Sequence, residues 1–257
     1  MNPPVIAIEN AVVAYNGVRA LDNLSLQVTA GECLVLAGPN GAGKTTLLTV
    51  INGFTRLGAG SVRVFGESPA GGAALRLRQR IGYVAQFQPM DPRMPISVRE
   101  SVMTGLYGRL GWRRGPGPHE KALVDNILDL LRLTPLADRP LGKLSGGEMR
   151  RAMIARALTQ QPDIMLLDEP TASLDDVSRN DILELMAHLH RDRNMTLVWV
   201  THDLDALPET PLRIARLRNG RLASETTCPM APARQAPDAA FPPLREPAQA
   251  VGSAHDN

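Results

Sequence analysis

The octapeptide GPNGAGKT, Gly38 to Thr45, has the residue types and spacing of a phosphate-binding loop. Its glycines let backbone N–H groups converge on phosphate oxygens, and a helix beginning there would add a partial positive charge. Lys44 would reach the β- and γ-phosphates of a nucleotide, and the Thr45 hydroxyl would bind Mg²⁺. A chance match is expected in roughly one chain per hundred. The loop therefore predicts a nucleoside triphosphate site.

Two adjacent carboxylates, Asp168 and Glu169, end the apolar run Ile164–Leu167. A strand ending there would bring Asp168 beside the phosphate-binding loop, where it could hold Mg²⁺ directly or through water. Glu169 could then orient and deprotonate an attacking water. An acidic turn can end any strand, so the pair predicts hydrolysis only in combination with the loop.

The pentapeptide LSGGE, Leu144 to Glu148, is predicted to begin a helix. Ser145 at the N-cap and Glu148 three residues later form a capping box, so a well-capped helix is the simple interpretation. Gly146 and Gly147 cost backbone entropy that capping does not require. They favour the alternative interpretation, in which free N–H groups of this backbone approach an anionic ligand closely.

These groups need strands and helices that carry them to one place. Cys33–Ala37 predicts a buried strand before the loop, and residues 44–52, followed by Gly53, predict a helix after it. Further strands are predicted over residues 5–13, 24–28, 61–65, 81–85, 164–167 and 196–200, and helices over 97–106, 121–133, 145–158 and around 181–189. The early strands predict a small antiparallel layer, and the later alternation predicts a largely parallel α/β sheet. Gly105–Pro118 is predicted to be a surface loop.

Composition indicates an ordinary globular protein. The chain has 257 residues, of which 44% are hydrophobic and 21% are charged, enough for a full core. The net charge of +2 gives no reason to expect a general nucleic-acid binder. Two arginine clusters are interpreted as solvated helix faces: Arg109, Arg113 and Arg114, and Arg150, Arg151 and Arg156.

The sequence shows no pattern typical of export, membrane insertion or a disulfide framework. Cys33 and Cys228 lie far apart, which suits a reducing cytosol, and Cys33 is expected to pack in a strand. The N-terminal residues lack a secretory signal pattern, and no run approaches the roughly 20 apolar residues of a membrane span. Residues 229–257, rich in proline and alanine, are predicted to be a disordered tail.

In combination the motifs resemble the ATP-binding subunit of an ATP-binding cassette (ABC) transporter, over roughly residues 4–223. Gly38–Thr45 resembles the Walker A loop, Ile164–Glu169 resembles Walker B with its catalytic glutamate, and Leu144–Glu148 resembles the signature motif. The remaining matches follow the family's order: Tyr15 as the aromatic residue that stacks on adenine, Gln86 as the Q-loop glutamine, Ser173–Asp175 as the D-loop, and His202 as the switch histidine.

The resemblance implies an α/β fold with a P-loop NTPase (RecA-like) core, an antiparallel β subdomain and a helical signature subdomain. Residues 1–228 would form the ATPase domain, with the helical subdomain at about 90–160, followed by the tail at 229–257. The implied cofactors are ATP and Mg²⁺. The implied catalytic residues are Lys44, Gln86, Glu169 and His202. The implied ATP-binding residues are Tyr15, Gly38, Pro39, Asn40, Gly41, Ala42, Gly43, Lys44, Thr45, Thr46, Ser145, Gly146, Gly147, Glu148 and Asp175. The implied Mg²⁺ ligands are Thr45, Gln86 and Asp168.

The resemblance also implies partners. In this family two ATPase subunits sandwich two ATP molecules head to tail, so the signature motif of one subunit completes the site at the other's P-loop. The chain is therefore expected to form a homodimer at the cytoplasmic face of the inner membrane. Its other expected partners are an integral-membrane permease and an extracytoplasmic substrate-binding protein, and no nucleic acid is expected.

The cargo is inferred from resemblance alone. The stretches 88–99, 105–109 and 112–114 resemble the manganese, zinc and iron-chelate importer branch. Met90, Met94 and Met103 are expected to offer an adaptable apolar docking surface to the permease rather than a metal site. The alternatives are an ABC importer of another substrate and a soluble ABC ATPase of repair or translation, which the short segment before the signature and the single cassette disfavour. A P-loop kinase or GTPase is disfavoured by LSGGE and His202.

Some residues depart from the family's pattern or have a simpler interpretation. Glu148 stands where the family commonly has Gln, and Ala85 stands where a proline often precedes the Q-loop glutamine. Both Glu and Gln serve a capping box, so the helix start is expected to survive. Tyr15 could instead be a packing aromatic at a strand end, and His202 could be a structural cap.

Overall fold

The structure is a computed structural model that describes residues 3–86, 91, 93–111, 114–204, 207 and 210–228. The predicted tail at 229–257 lies outside the described residues, as do Met90, Trp112 and Arg113 of the docking stretches. The domain boundaries expected at 228 and at about 90–160 stay a prediction.

Strands alternate with helices along the chain. The strands are β1 (Pro4–Tyr15), β2 (Val18–Thr29), β3 (Cys33–Ala37), β4 (Ala59–Val64), β5 (Ile81–Val84), β6 (Ile164–Asp168), β7 (Thr196–Thr201), β8 (Leu212–Arg218) and β9 (Arg221–Cys228). The α-helices are α1 (Lys44–Ile51), α2 (Ala74–Gln79), α3 (Val98–Met103), α4 (Tyr107–Leu110), α5 (Pro118–Leu130), α6 (Gly146–Leu158) and α7 (Asp176–Arg193). Short 3₁₀ turns lie at Gly71–Ala73, Thr104–Leu106, Thr134–Leu136 and Leu141–Lys143.

A small antiparallel sheet has the strand order β2-β1-β4. Ile8 of β1 lies opposite Leu26 of β2 on one side and Val62 of β4 on the other. Side chains on a strand alternate between the two faces, and Ile6 and Ile8 are accordingly buried together. The antiparallel layer predicted from the sequence is confirmed.

The main sheet has six strands in the order β5-β6-β7-β3-β8-β9. Neighbouring strands are parallel except for the final pair, β8 and β9, which is antiparallel. Every residue of β3, β6 and β7 is buried, because layers of structure cover both faces of the sheet. The largely parallel α/β sheet predicted from the sequence is confirmed.

The two faces of this sheet belong to two hydrophobic clusters. Val35, Leu167 and Trp199 pack with the helices of the chain's middle part. Their strand neighbours Leu34 and Leu166 point the other way and pack with α1 and the antiparallel sheet. Because β3, β5, β6 and β7 run parallel, their carboxyl ends meet at one edge of the sheet. This is the edge where α/β folds place their ligands.

Some elements were not predicted. These are β8, the largely exposed β9, which carries few apolar residues, and the six-residue helix α2. The surface loop predicted over 105–118 is wrong in its first part, where the 3₁₀ turn Thr104–Leu106 continues into α4. Gly108 in α4 is held by a hydrogen bond from the Gln79 side chain to its carbonyl.

The interpretation of the second arginine cluster as a solvated helix face is also wrong for its first two members. Arg150 on α6 is only 2% exposed. Arg151 is partly buried and pairs with Asp181 of α7, whereas Arg156 is exposed. Among the described residues, none of the helices combines the length and the apolar character needed to cross a bilayer.

Candidate functional site

The loop between β3 and α1 has a backbone that only glycine fits at two positions. Gly38 has φ 148°, and a Cβ there would overlap the carbonyl oxygen of Leu217 in β8. Gly43 has φ 99°, and a Cβ there would overlap the carbonyl oxygen of Ala20 in β2. Both sheets thus press on this loop and fix its path.

Lys44 lies at the centre of the loop. Its Nζ donates hydrogen bonds to the carbonyl oxygens of Gly38 at 2.7 Å and Pro39 at 2.9 Å, and the side chain is only 6% exposed. The loop thus wraps around a buried ammonium group. Gly43 caps α1 without any side-chain hydrogen bond, and the first turn holds no acidic residue. The helix start therefore offers N–H groups and positive charge to an anion.

A cleft of about 460 Å³ opens in front of this loop. It is lined by Ala20, Asn40, Gly41, Gly43, Lys44, Thr45, Thr46, Gln86, Glu169 and His202. All of these except Ala20 were singled out from the sequence. Ala20 has no sequence signal, because its carbonyl meets the loop and any residue type can supply a carbonyl.

Glu169 is the centre of a polar cluster at the cleft's far wall. Its Oε2 accepts a hydrogen bond from Gln86 Nε2 at 3.3 Å, and its Oε1 lies 3.1 Å from His202 Nδ1. These three side chains follow β5, β6 and β7, whose parallel ends lie side by side. Glu169 has φ 48°, a left-handed conformation that costs a non-glycine residue energy and is often found at functional sites.

Asp168, the last residue of β6, is a buried carboxylate whose oxygens can accept further partners. It is 1% exposed, and neither side-chain oxygen makes a hydrogen bond of ordinary geometry. Burial raises its pKa, while the nearby Thr45 hydroxyl and the charges of Lys44 and Arg150 act in the opposite direction. Buried oxygens without partners beside a threonine hydroxyl are the donors that a hard cation such as Mg²⁺ prefers. The residues present therefore fit this ion.

Tyr15 stands apart from the lining of the cleft. The residue ends β1 and is 50% exposed, which does not fit the alternative interpretation as a buried packing aromatic. Its hydroxyl lies 3.3 Å from Thr55 Oγ1, which lies 2.9 Å from Thr49 Oγ1 on α1. The hydroxyl thus lies near the helix that follows the loop, and half of the residue is exposed.

The capping box predicted at LSGGE is present. The Ser145 hydroxyl accepts from the Glu148 N–H at 3.3 Å, and Glu148 Oε2 accepts from the Ser145 N–H at 2.7 Å. The backbone N–H of Ser145 is the main cause that lowers the pKa of Glu148. The Glu148 side chain therefore serves its own helix.

Glycine is required at the two positions of this motif for different reasons. A Cβ on Gly147 would overlap Ser178 of α7, so close packing within the chain explains this residue without a ligand. A Cβ on Gly146 would meet only Leu174, at 3.8 Å. Gly146 thus remains the glycine for which close approach of a ligand is the better explanation.

Asp175, which was predicted to belong to the D-loop, lies on the segment beside this motif rather than in the cleft. It caps α7, accepting the Ser178 N–H at 2.9 Å, and this bond is the main cause that lowers its pKa. None of Ser145, Gly146, Gly147, Glu148 and Asp175 lines the P-loop cleft. We call the surface formed by residues 145–148 and 173–178 the signature edge.

Comparison with known proteins identifies a family and its relatives. The family model described as ABC transporter matches residues 21–172. The chain is 37% identical to the chelated iron transport system membrane protein YfeB of Yersinia pestis, over 80% of this chain and 69% of that protein. It is 36% identical to the zinc uptake system ATP-binding protein ZurA of Listeria innocua, over 79% and 78%. The cobalt import ATP-binding protein CbiO of Rhodobacter capsulatus is 40% identical, over 86% and 78%.

Solved structures of the same class share the fold. A dimeric bacterial ABC transporter cassette, MJ0796, superimposes with a TM-score of 0.75 at 28% identity, over 86% of this chain and 98% of that one. An inward-facing conformation of a metal-chelate type ABC transporter gives a TM-score of 0.73 at 29% identity, over 89% and 83%.

Proposed function

The chain belongs to the ABC transporter family as an ATP-binding, ATP-hydrolysing subunit, and from that premise we propose that it powers the import of divalent metal ions or metal chelates. The observation that carries the cargo is the set of relatives. Proteins named for iron-chelate, zinc and manganese transport are 36–37% identical, and one named for cobalt import is 40% identical.

A second candidate is the import of an oxyanion. The phosphonates import ATP-binding protein PhnC of Hyphomonas neptunium is 38% identical, over 85% of both chains. Identity alone therefore does not separate the two cargoes. Metal import is favoured because several relatives are named for the transport of different metals, and a metal-chelate type transporter shares the fold.

ATP binding begins at the P-loop. Lys44 would exchange its two carbonyl partners for β- and γ-phosphate oxygens, and the free N–H groups at the start of α1 would receive further oxygens. Thr45, Asp168 and Gln86 would hold Mg²⁺, which would neutralise phosphate charge as a Lewis acid. Tyr15 would stack on the adenine at the open side.

Hydrolysis would depend on Glu169. Its carboxylate would accept a proton from the attacking water, because it is the ionisable acid that faces the cleft beside the P-loop. His202 and Gln86 contact its two oxygens, one each. With ATP bound, Gln86 would turn towards Mg²⁺ and His202 towards the γ-phosphate, leaving Glu169 free to act.

The complete site would need a second copy of the chain. The signature edge contributes no residue to the cleft of its own chain. We propose a head-to-tail homodimer in which Ser145, Gly146 and Gly147 contact the partner's γ-phosphate. A dimeric cassette with the same fold supports this arrangement.

The permease would dock beside Gln86. Met94 is 42% exposed and suits an apolar docking surface, whereas Met103 is partly buried against the main core and does not belong to it. We propose that docking holds the ATPase at the cytoplasmic face of the inner membrane. Cargo selection would lie with the permease and an extracytoplasmic substrate-binding protein.

Cellular uptake tests the cargo. The chain is expressed with its permease and binding protein, and accumulated zinc, manganese, iron and cobalt are measured by mass spectrometry beside labelled phosphonate. Import of a metal that is lost with Glu169→Gln is the expected result. Uptake of phosphonate without any metal would replace metal import by the second candidate. ATPase activity without either uptake would leave an importer of another substrate or a soluble ATPase.

A further inference from the structure

The turn between β8 and β9 lies against the P-loop. Gly220, in that turn, donates its N–H to the carbonyl oxygen of Ala42 at 3.1 Å, and its own carbonyl accepts from the N–H of Asp22 in β2 at 2.9 Å. At the other end of the loop, the carbonyl of Leu217 lies so close to Gly38 that a Cβ there would overlap it. One hairpin therefore contacts both ends of the phosphate-binding loop.

The hydrogen bond to Ala42 sets the direction of the next N–H in the loop. The Ala42 carbonyl and the Gly43 N–H belong to one peptide unit, which is planar and trans, so the two groups point in opposite directions. Because the carbonyl points at Gly220, the Gly43 N–H points away from the hairpin. Gly43 lines the P-loop cleft and immediately precedes α1. Its N–H is thus one of the groups that can receive a phosphate oxygen.

The chain contains the same kind of turn at a second place, without such a contact. Asn16 and Gly17 join β1 to β2 as Asn219 and Gly220 join β8 to β9, and all four residues have positive φ, as a two-residue type I′ hairpin turn requires. Among the described residues, nothing lies within 4 Å of a Cβ built on Gly17, whereas a Cβ on Gly220 would overlap the carbonyl oxygen of Ala20. Turn geometry explains both glycines, and only the close approach to Ala20 sets Gly220 apart.

An ion pair holds the same hairpin against β2. Arg221 Nε and Nη2 lie 2.8 Å and 2.7 Å from Asp22 Oδ2. Arg19 also pairs with Asp22, through Oδ1, but it lies on β2 itself, three residues from Asp22. Two arginines thus share one carboxylate, and of these two only Arg221 connects the hairpin to β2.

Resting on the proposed ATP site, we propose that Gly220 is a positioning residue of that site: its N–H holds the Ala42 carbonyl and thereby directs the Gly43 N–H towards the bound phosphates. Gly220 acts without touching a phosphate. A Cβ on Gly220 would push the turn away from Ala20, since it would overlap a backbone carbonyl, and would lengthen the hydrogen bond to Ala42. The peptide unit before Gly43 would then lose its fixed direction, and one N–H contact to phosphate would weaken.

The test compares alanine at the two matched turns. Gly220→Ala and Gly17→Ala place the same side chain at a similar positive φ, so the cost of backbone strain is common to both. Binding of inorganic triphosphate with Mg²⁺ is measured by calorimetry on the full chain, under conditions where circular dichroism shows each variant to be folded. We expect Gly220→Ala to bind triphosphate about tenfold more weakly, the order for one hydrogen bond to a charged group, and Gly17→Ala to stay within about twofold of the unsubstituted chain.

The choice of ligand separates phosphate positioning from damage elsewhere. The β,γ-imido analogue of ATP is measured beside triphosphate, and Gly220→Ala should weaken both by the same factor, because the affected N–H faces the phosphates. A disturbance on the adenine side would weaken the analogue alone. Gly17 lies two residues from Tyr15, and triphosphate, which lacks a base, does not depend on that ring.

A second pair of variants decides the matter if Gly220→Ala does not fold. Arg221→Met and Arg19→Met each remove one exposed arginine from Asp22, but only Arg221→Met loosens the hairpin. Arg221→Met should weaken triphosphate binding about twofold to threefold, within the range for an exposed ion pair, and Arg19→Met should leave it unchanged. The two variants lose the same charge, so a general electrostatic effect would appear in both.

Each outcome has one meaning. Equal triphosphate affinity in Gly220→Ala and Gly17→Ala would overturn the role of Gly220, as would equal affinity in the two arginine variants where Gly220→Ala does not fold. Weaker binding of the analogue alone in Gly220→Ala would overturn it as well. A chain that binds neither triphosphate nor the analogue in its unsubstituted form would overturn the proposed ATP site itself.

Discussion

The P-loop cleft and the signature edge are built in opposite ways. In the cleft, Lys44 bonds its own loop, Asp168 is buried without a hydrogen bond of ordinary geometry, and Glu169 has a left-handed backbone. At the signature edge, Ser145 and Asp175 are satisfied by the helices that they cap. The cleft thus holds polar groups that a ligand would satisfy, whereas the edge is a rigid surface that is already satisfied. This difference supports an ATP site made of two halves from different chains. The cleft half binds ATP, and the signature edge of a partner chain completes the site.

The cleft half depends most on Glu169. We expect Glu169→Gln to lower ATP hydrolysis by about 10²–10⁴-fold, because the amide cannot accept the proton of the attacking water. ATP binding, measured by calorimetry, should persist, and the ATP-bound dimer should accumulate on a sizing column. Hydrolysis at the unsubstituted rate would exclude Glu169 as the general base.

The division into two halves is tested most directly by mixing two inactive variants. Lys44→Ala damages the cleft, and Gly146→Asp places a carboxylate where the signature edge would meet a partner's phosphates. Each variant alone should be inactive. Random pairing makes half of the dimers mixed, with one intact site in each, so the mixture should recover roughly a quarter of the activity.

The outcome of the mixing experiment separates the two architectures. If each chain forms a whole site by itself, mixing restores nothing, because every site then carries the substitution of its own chain. Mixing Lys44→Ala with Glu169→Gln is the matched control, because both lie in the cleft. In mixed dimers of that pair both sites remain damaged, so no activity should return.

The signature edge itself contains a matched pair of glycines. Gly147→Ala should lower the free energy of unfolding by about 1–3 kcal/mol, because its Cβ overlaps Ser178. Gly146→Ala should leave stability nearly unchanged, because its Cβ overlaps nothing within the chain. It should lower ATPase activity, because the Cβ would obstruct the close approach of a ligand. Chemical denaturation and ATPase rates measure the two effects, and Ser178→Gly should restore the stability of Gly147→Ala. Equal stability losses would remove the distinction.

The sequence predicted the cleft better than the edge. The glycine spacing, the apolar strands and the terminal Asp168 and Glu169 are local patterns, so their place could be predicted. The reason for Gly147 could not, because it depends on Ser178 of another helix. The burial of Arg150 was missed for the same reason, since a charge on a helix normally faces water and only packing shows otherwise.

Tyr15 tests how far the cleft half extends. Tyr15→Ala should weaken ATP binding by about 1–3 kcal/mol, the range for stacking of a base on an aromatic ring. Tyr15→Phe should bind nearly normally, because the hydroxyl makes only a long contact with Thr55 at 3.3 Å. Calorimetry with ATP, and with inorganic triphosphate as a control that lacks a base, measures both. Equal losses for ATP and triphosphate would show that the ring does not contact adenine.

Glu148 offers the smallest effect and the finest test of the edge. Its pKa is lowered by the Ser145 N–H, so its contribution to stability is present above the unfolded pKa of about 4.3 and is lost as the pH falls through the lower folded pKa. Solvent screening keeps this contribution below roughly 0.5 kcal/mol. Glu148→Gln keeps the capping box and should remove this pH dependence, whereas Glu148→Ala should cost about 1 kcal/mol at every pH. Unfolding measured between pH 3 and 7 decides the matter: a glutamine variant as unstable as the alanine variant at neutral pH would mean that the charge, rather than the cap, holds Ser145 in place.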